Sequence, residues 1–113
     1  MFVTHYPSVK RPFYAKDDPE DNSLTLSFDL LFKGCEIITG GQRIHDYNEL
    51  LQKICARGMN PDDFEFFTVA HKHGLPPHGG FGMGLERLTQ KVLNLDNIKS
   101  ATMYPRDVTR LTP

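Results

Sequence analysis

Glycines at positions 79, 80, 82 and 84 run straight into Leu85-Glu86-Arg87-Leu88, a helix-forming stretch with an arginine in its first turn. Glycine lets a flat ligand lie against the main chain. A helix start offers free N–H groups and a positive dipole end to an anion. Arg87 adds a permanent charge and a planar donor fork suited to phosphate oxygens. These parts describe a nucleotide site, but the spacing fits neither a Walker loop nor a dinucleotide fingerprint. Asp29 and Glu36 supply acids upstream, seven residues apart. On one strand that spacing puts them on opposite faces. A two-residue turn at Lys33-Gly34 opposes Leu31 to Glu36 and brings Glu36 diagonally beside Asp29 on a shared face. Paired acids repel unless a cation separates them, and their hard oxygens suit Mg²⁺ together with phosphates. Two solvated surface acids are the other reading of the same residues. Arg43 follows Gly40-Gly41-Gln42, where the glycine pair suggests a bulge that re-aims the strand. It is either a bidentate clamp for a ligand carboxylate or the partner of an internal acid such as Asp46.

The elements that must position these residues are legible in outline. Phe2 to Tyr6 forms a short strand ended by Pro7, and Lys16 to Asn22 a polar loop. Ser23 to Lys33 alternates, with Leu24, Leu26, Phe28 and Leu30 on one side and Thr25, Ser27 and Asp29 on the other. This is the pattern of a half-buried antiparallel strand. Cys35 to Thr39 returns as its partner. Asp46 and Glu49 form a capping box for a helix from Tyr47 to about Arg57, stopped by Gly58. Asn60-Pro61 opens a second helix to about Lys72, with Phe64, Phe67 and Ala70 inward. A short strand through Phe81 precedes a helix from about Gly84 to Leu93, and Ser100 to Tyr104 adds a final strand or a short extended piece. The fold class is α+β, an antiparallel sheet with flanking helices packed on one side.

The 113 residues suit one domain, and a net charge of −1 gives no electrostatic footprint for nucleic acid. Cys35 and Cys55 are too isolated for a disulfide framework or zinc site and are expected as buried small hydrophobes. No apolar run reaches membrane-spanning length, so a soluble, cytoplasmic protein is expected. His5, His71 and His73 lack metal-ligand spacing and are expected to be structural or exposed.

The decapeptide from Gly79 to Leu88 resembles motif 3 of the class II aminoacyl-tRNA synthetases. Pro76-Pro77-His78 before it, Tyr104-Pro105-Arg106-Asp107 and Arg110-Leu111-Thr112-Pro113 resemble the aspartyl-tRNA synthetases of archaeal and eukaryotic type. The match runs from about Phe2 to Pro113. It implies a partial class II catalytic fold in which Asp29 and Glu36 hold the ATP magnesium. Arg87, with Glu36, Ile37 and Gly84, meets ATP, Arg87 lying on the adenine and reaching the γ-phosphate. It also implies that Arg43, with Thr39, His78 and Gly82, meets the substrate aspartate. Thr39 stands where these enzymes usually carry serine and keeps the hydroxyl. The related asparaginyl enzymes share the strand and its arginine, while Arg43-Ile44-His45-Asp46 and Pro105-Arg106-Asp107 favour aspartate. Lys10-Arg11-Pro12-Phe13-Tyr14 is similar to a family Lys-Pro-Phe-Tyr element with its order shifted, and no role follows for either base.

The implied reaction is attack of the aspartate α-carboxylate on the α-phosphate of ATP, then transfer of the aspartyl group to tRNA. Motif 1, motif 2 and the anticodon-binding domain have no counterpart in the sequence. The chain is therefore expected to be the C-terminal portion of a catalytic domain, inactive alone. It would bind ATP, Mg²⁺ and aspartate weakly and meet tRNA only in a complete enzyme. Either a complementary N-terminal chain completes it, or it is a non-catalytic remnant or interaction module. An open sheet edge and apolar face predict self-association, such as a dimer.

Overall fold

Lys33 and Gly34 set the central hairpin. Their φ values of 47° and 72° are the left-handed pair that a tight two-residue turn requires. They join β2 (Ser27–Phe32) to β3 (Cys35–Arg43) in a computed structural model that describes residues 1–112. With β1 (Phe2–Thr4) and β4 (His78–Met83), these strands form one antiparallel sheet in the order β1-β2-β3-β4. The first strand is shorter than expected and β2 starts at Ser27, with Thr25 outside it, bridged to Asp17 and bonded to the Tyr6 carbonyl. Ser100 to Tyr104 forms no strand; a 3₁₀ turn spans Ile98–Ala101.

The β2–β3 register pairs Asp29 with Thr39 and Leu30 with Ile38, then skips Ile37 to pair Leu31 with Glu36. This single irregularity is the β-bulge of the sheet. It does not lie at Gly40-Gly41, whose pairing with Phe28 and Ser27 is regular. The glycines serve close approach instead. A Cβ on Gly40 would lie 2.7 Å from both the Gly80 carbonyl oxygen and the Phe81 Cβ.

Helices α1 (Tyr47–Ala56), α2 (Glu65–Lys72) and α3 (Leu85–Leu93) flank the sheet. Asp46 accepts from the Glu49 N–H at 2.8 Å, as a cap should, but the Glu49 carboxylate turns to Lys16 instead of closing the box. Asn60-Pro61 opens a 3₁₀ turn, Pro61–Phe64, before α2 begins. The core is Ile44, Leu50 and Ile54, ringed by Phe13, Tyr14, Met59, Phe64 and Phe67. His71, not Ala70, takes the next inward position, because the α2 face that packs runs through Phe64, Phe67 and Thr68. Cys35 is half-buried and Cys55 exposed, so neither is the core hydrophobe expected.

The alternation of β2 is observed, but its sense is inverted. Thr25, Ser27 and Asp29 are buried, whereas Leu24, Leu26, Phe28 and Leu30 are half-exposed. A strap from Ser8 to Asp17 covers the polar face. Its backbone bonds Gln42, Leu26 and Ile44, and α1 clamps it: Lys53 donates to the Ala15 carbonyl and Arg57 to those of Ser8 and Arg11. The opposite face leaves Phe2, Phe81 and Met83 exposed, Phe81 at 66%. Substituting Gly40→Ala is expected to cost about 1–3 kcal/mol by forcing β3 and β4 apart. Gly82→Ala, which meets nothing within 4 Å, should change stability by under about 0.5 kcal/mol. Urea unfolding of the two variants checks the difference.

Candidate functional site

Because opposed residues share a face, the register gathers Asp29, Glu36, Thr39, Gly41, Arg43, His78, Gly80 and Gly82 on one side of the sheet. The bulge makes this possible: Ile37 absorbs the odd residue, so Glu36 and Thr39 face the same way though three apart. A cleft of about 430 Å³ opens on this face, lined by Arg11, Tyr14, Thr39, Arg43, Gly80 and Gly82 among others. Glu36 and Arg87 lie past its Thr39 end. From Arg43 to Glu36 the strand runs roughly 20 Å, long enough to separate two binding functions.

Arg43 stacks over Tyr14, its guanidinium carbon 5.0 Å from the ring centroid. Among the described residues it has no carboxylate partner, since Asp46 is spent on the α1 cap. A half-buried arginine without an internal acid is equipped for a ligand carboxylate. Gly80 keeps the space beside it clear, with a hypothetical Cβ 3.8 Å from the Arg43 Nε. His78 pairs with Arg43 across the strands, and its Nδ1 lies 3.0 Å from the Pro76 carbonyl. A donor Nδ1–H there leaves Nε2 as an acceptor.

At the other end, Arg87 Nη1 donates to the Glu36 carbonyl at 3.0 Å and to its carboxylate at 3.3 Å, with both side chains nearly half exposed. Gly84 caps α3 without a side chain, and a Cβ there would press on the Arg87 stem at 3.2 Å. Ile37 is 3% exposed, so its side chain cannot meet a nucleotide; its carbonyl accepts the Gly84 N–H and ties β3 to the start of α3.

Asp29 and Glu36 share the face, but neither is a bare acid awaiting a metal. Arg11 donates to Asp29 at 2.8 Å and to the Thr39 hydroxyl at 3.0 Å, and that hydroxyl donates to Asp29 at 2.6 Å. The Arg11 guanidinium also stacks on Tyr6 at 3.8 Å. Burial pushes the Asp29 carboxyl up, but hydrogen bonds from Thr39, Tyr6 and Arg11 outweigh it and hold the pKa below its usual value. The same contact with Asp29 raises the Tyr6 phenol. Asp29 thus has its cation already, and magnesium does not fit there in this arrangement. Glu36 fits better, with an exposed carboxylate and only a loose partner. No group of three acidic, histidine or cysteine side chains is placed to hold a metal among the described residues. The arginine that matters here, Arg11, had no role assigned from the sequence. Its signal was a base set between Tyr6 and Phe13-Tyr14, near a strand whose buried face carries an aspartate.

The chain matches the family of class II tRNA synthetases (D, K and N) over residues 1–108 and belongs to it. It is 55% identical to the aspartate–tRNA(Asp/Asn) ligase of Thermus thermophilus, over all of this chain and 26% of that protein. It superposes on the aspartyl-tRNA synthetase of Entamoeba histolytica with a TM-score of 0.93 and 37% identity, covering 99% of this chain and 23% of the other. The asparaginyl-tRNA synthetase of Pyrococcus horikoshii, complexed with asparaginyl-adenylate, gives 0.90 and 45%, covering 99% and 26%. The chain spans about a quarter of the length of these relatives.

A carboxyl with a depressed pKa stabilises the fold above its unfolded value of about 3.9 and loses that contribution as pH falls through the lower folded value. Wild-type stability should therefore drop on acidification below about pH 4 more steeply than that of Asp29→Asn, as measured by thermal melts at stepped pH.

Proposed function

We propose that the chain is the C-terminal portion of the catalytic domain of an aspartyl-tRNA synthetase of the archaeal and eukaryotic type. It carries one wall of the site that activates aspartate with ATP. The observation that carries this reading is Arg43, seated over Tyr14 in the cleft with no internal acid. It takes the aspartate side-chain carboxylate as a bidentate clamp. Thr39, whose hydroxyl proton is committed to Asp29, presents only a lone pair and so meets a donor such as the substrate ammonium. His78 and the exposed strand glycines at 80 and 82 leave room for the amino acid to lie along β4. Arg87 and the free N–H groups at the start of α3 take the nucleotide and its phosphates.

The aspartate α-carboxylate attacks the ATP α-phosphorus and pyrophosphate leaves; a hydroxyl of the tRNA terminal ribose then takes the aspartyl group from the adenylate and AMP leaves. Residues of this wall contribute positioning and charge neutralisation. Magnesium, when bound, neutralises phosphate charge, and Glu36 is the residue on this chain that would hold it. The asparaginyl reading has its own support, since the solved asparaginyl relative is 45% identical and the aspartyl one 37%. Among the described residues, no helix is long and apolar enough to cross a membrane.

The radius of gyration of 17.6 Å, against about 13 Å for a compact chain of this length, and the exposed apolar face support completion by another polypeptide or by self-association. Calorimetry with Mg²⁺ and ATP should detect weak binding that Arg87→Ala reduces about ten- to a hundredfold; binding indifferent to that change would remove Arg87 from the site. The chain alone is expected to sediment as an associated species and to show no aspartate-dependent ATP–pyrophosphate exchange. Adding the remaining three quarters of the Thermus relative as a separate polypeptide should produce exchange. Exchange by the chain alone would refute the half-site reading, and no binding or exchange with the complement present would favour a non-catalytic remnant.

A further inference from the structure

We infer that Arg11 is the resident cation of the cleft: a positioning residue that fixes Asp29 and Thr39 as one acceptor array and keeps Asp29 from serving a divalent ion. The inference stands on the geometry of the strap and sheet, whatever reaction the site serves. Arg11 and Asp29 are the most enclosed ion pair of the cleft, with side chains 15% and 7% exposed. One guanidinium nitrogen bonds the carboxylate and the other the Thr39 hydroxyl, while Thr39 itself donates to the same carboxylate oxygen. The three groups close a ring in which every bond has a fixed direction. Tyr6 stacks on the guanidinium from one side and supports the carboxylate with its hydroxyl.

The chain holds Arg11 in place through its backbone. Arg57, the residue that ends α1, donates to the Arg11 carbonyl at 2.9 Å and to that of Ser8 at 2.5 Å. The 3₁₀ turn Ser8–Lys10 ends at Arg11, whose N–H returns to Ser8. A side chain so tethered is not a surface base that could swing away to release Asp29. Displacing it for a metal would strip a buried carboxylate of its donors and leave a buried guanidinium unpaired, and both changes are unfavourable. Its Nε is buried without a hydrogen-bond partner in the protein, a cost that the two bonded terminal nitrogens and the Tyr6 stack offset. Glu36, by contrast, shares its arginine at 3.3 Å in near-solvent. The two acids of the face therefore divide the work: Asp29 orients Thr39 from behind, and Glu36 is the one exposed to ions.

The test uses Mn²⁺ as the probe for a divalent cation, with binding to the 113-residue protein followed by electron paramagnetic resonance. Asp29→Asn should leave Mn²⁺ affinity within about twofold of wild type, and Glu36→Gln should lower it at least about tenfold. Arg11→Met should raise the affinity several-fold by exposing Asp29, and the double variant Arg11→Met/Asp29→Asn should lose that gain. The inference is overturned if Asp29→Asn weakens Mn²⁺ binding as much as Glu36→Gln does, or if Arg11→Met brings no gain. Should Arg11→Met fail to fold, the double variant decides. Recovery of a cooperative thermal transition once both charges are gone is the expected result. Failure to recover would reduce Arg11 to a packing residue.

Discussion

Ile37 is the residue on which the site depends. β3 carries it as one residue more than β2 can oppose, and that excess sets the parity of every side chain before and after it. Were Ile37 to pair with Leu31 in a regular ladder, Glu36 would move opposite Phe32 and face away from Thr39 and Arg43, and the polar face would lose one of its two acids. A bulge is stable only where the extra residue is buried or bonded, and Ile37 is both. Its side chain is in the interior, and its carbonyl takes the N–H that begins α3. The same residue that rotates the strand thus docks the helix carrying Arg87. Bulge and Gly-rich turn are one device.

The site face then carries two acid–arginine pairs of different character. Arg11 with Asp29 is short, enclosed and reinforced by a hydroxyl, so losing either partner leaves a buried charge. Arg87 with Glu36 is longer and open to water, where such pairs contribute at most about 1 kcal/mol. A phosphate approaching Arg87, or a cation approaching Glu36, replaces a weak contact with a stronger one. A rigid end and an exchangeable end on one strand suit a site that must orient one ligand and accommodate another's charge.

Much of this was legible in the sequence, for identifiable reasons. The turn at Lys33-Gly34, the pairing of Leu31 with Glu36, the Asp46 cap and the start of α3 each rest on local chemistry that the structure preserves. Arg43 reaches the shared face, though not through the bulge expected at Gly40-Gly41; Gly40 answers close contacts with β4, and Gly41 with Leu26 and Ser27, that no local pattern announces. The alternation of β2 was visible, but which face is covered depends on the strap folding back over it, a long-range event. For the same reason Asp29 read as a metal ligand. Its partner Arg11 lies 18 residues away along the chain, beyond the reach of strand periodicity. His71 inward and Ala70 outward follow from where α2 meets Phe13 and Tyr14, also a tertiary fact.

The inverted burial has an energetic consequence. Hydrogen bonds and ion pairs hold the site face, and each adds little net free energy while demanding a fixed geometry. Hydrophobic burial, the larger source of stability, rests here on a small cluster around Ile44, Leu50 and Ile54, with Ile37 and Ala15 buried as well. The apolar side of the sheet, with Phe2, Phe81 and Met83 in solvent, contributes far less than its composition would allow. A partner that covered that side would bind the folded sheet and not the unfolded chain, and would stabilise the register by mass action. Because Ile37 couples register to site geometry, occupancy of the apolar face and order of the polar face are linked. Binding on one side of the sheet would then favour the register that aligns Glu36, Thr39 and Arg43 on the other.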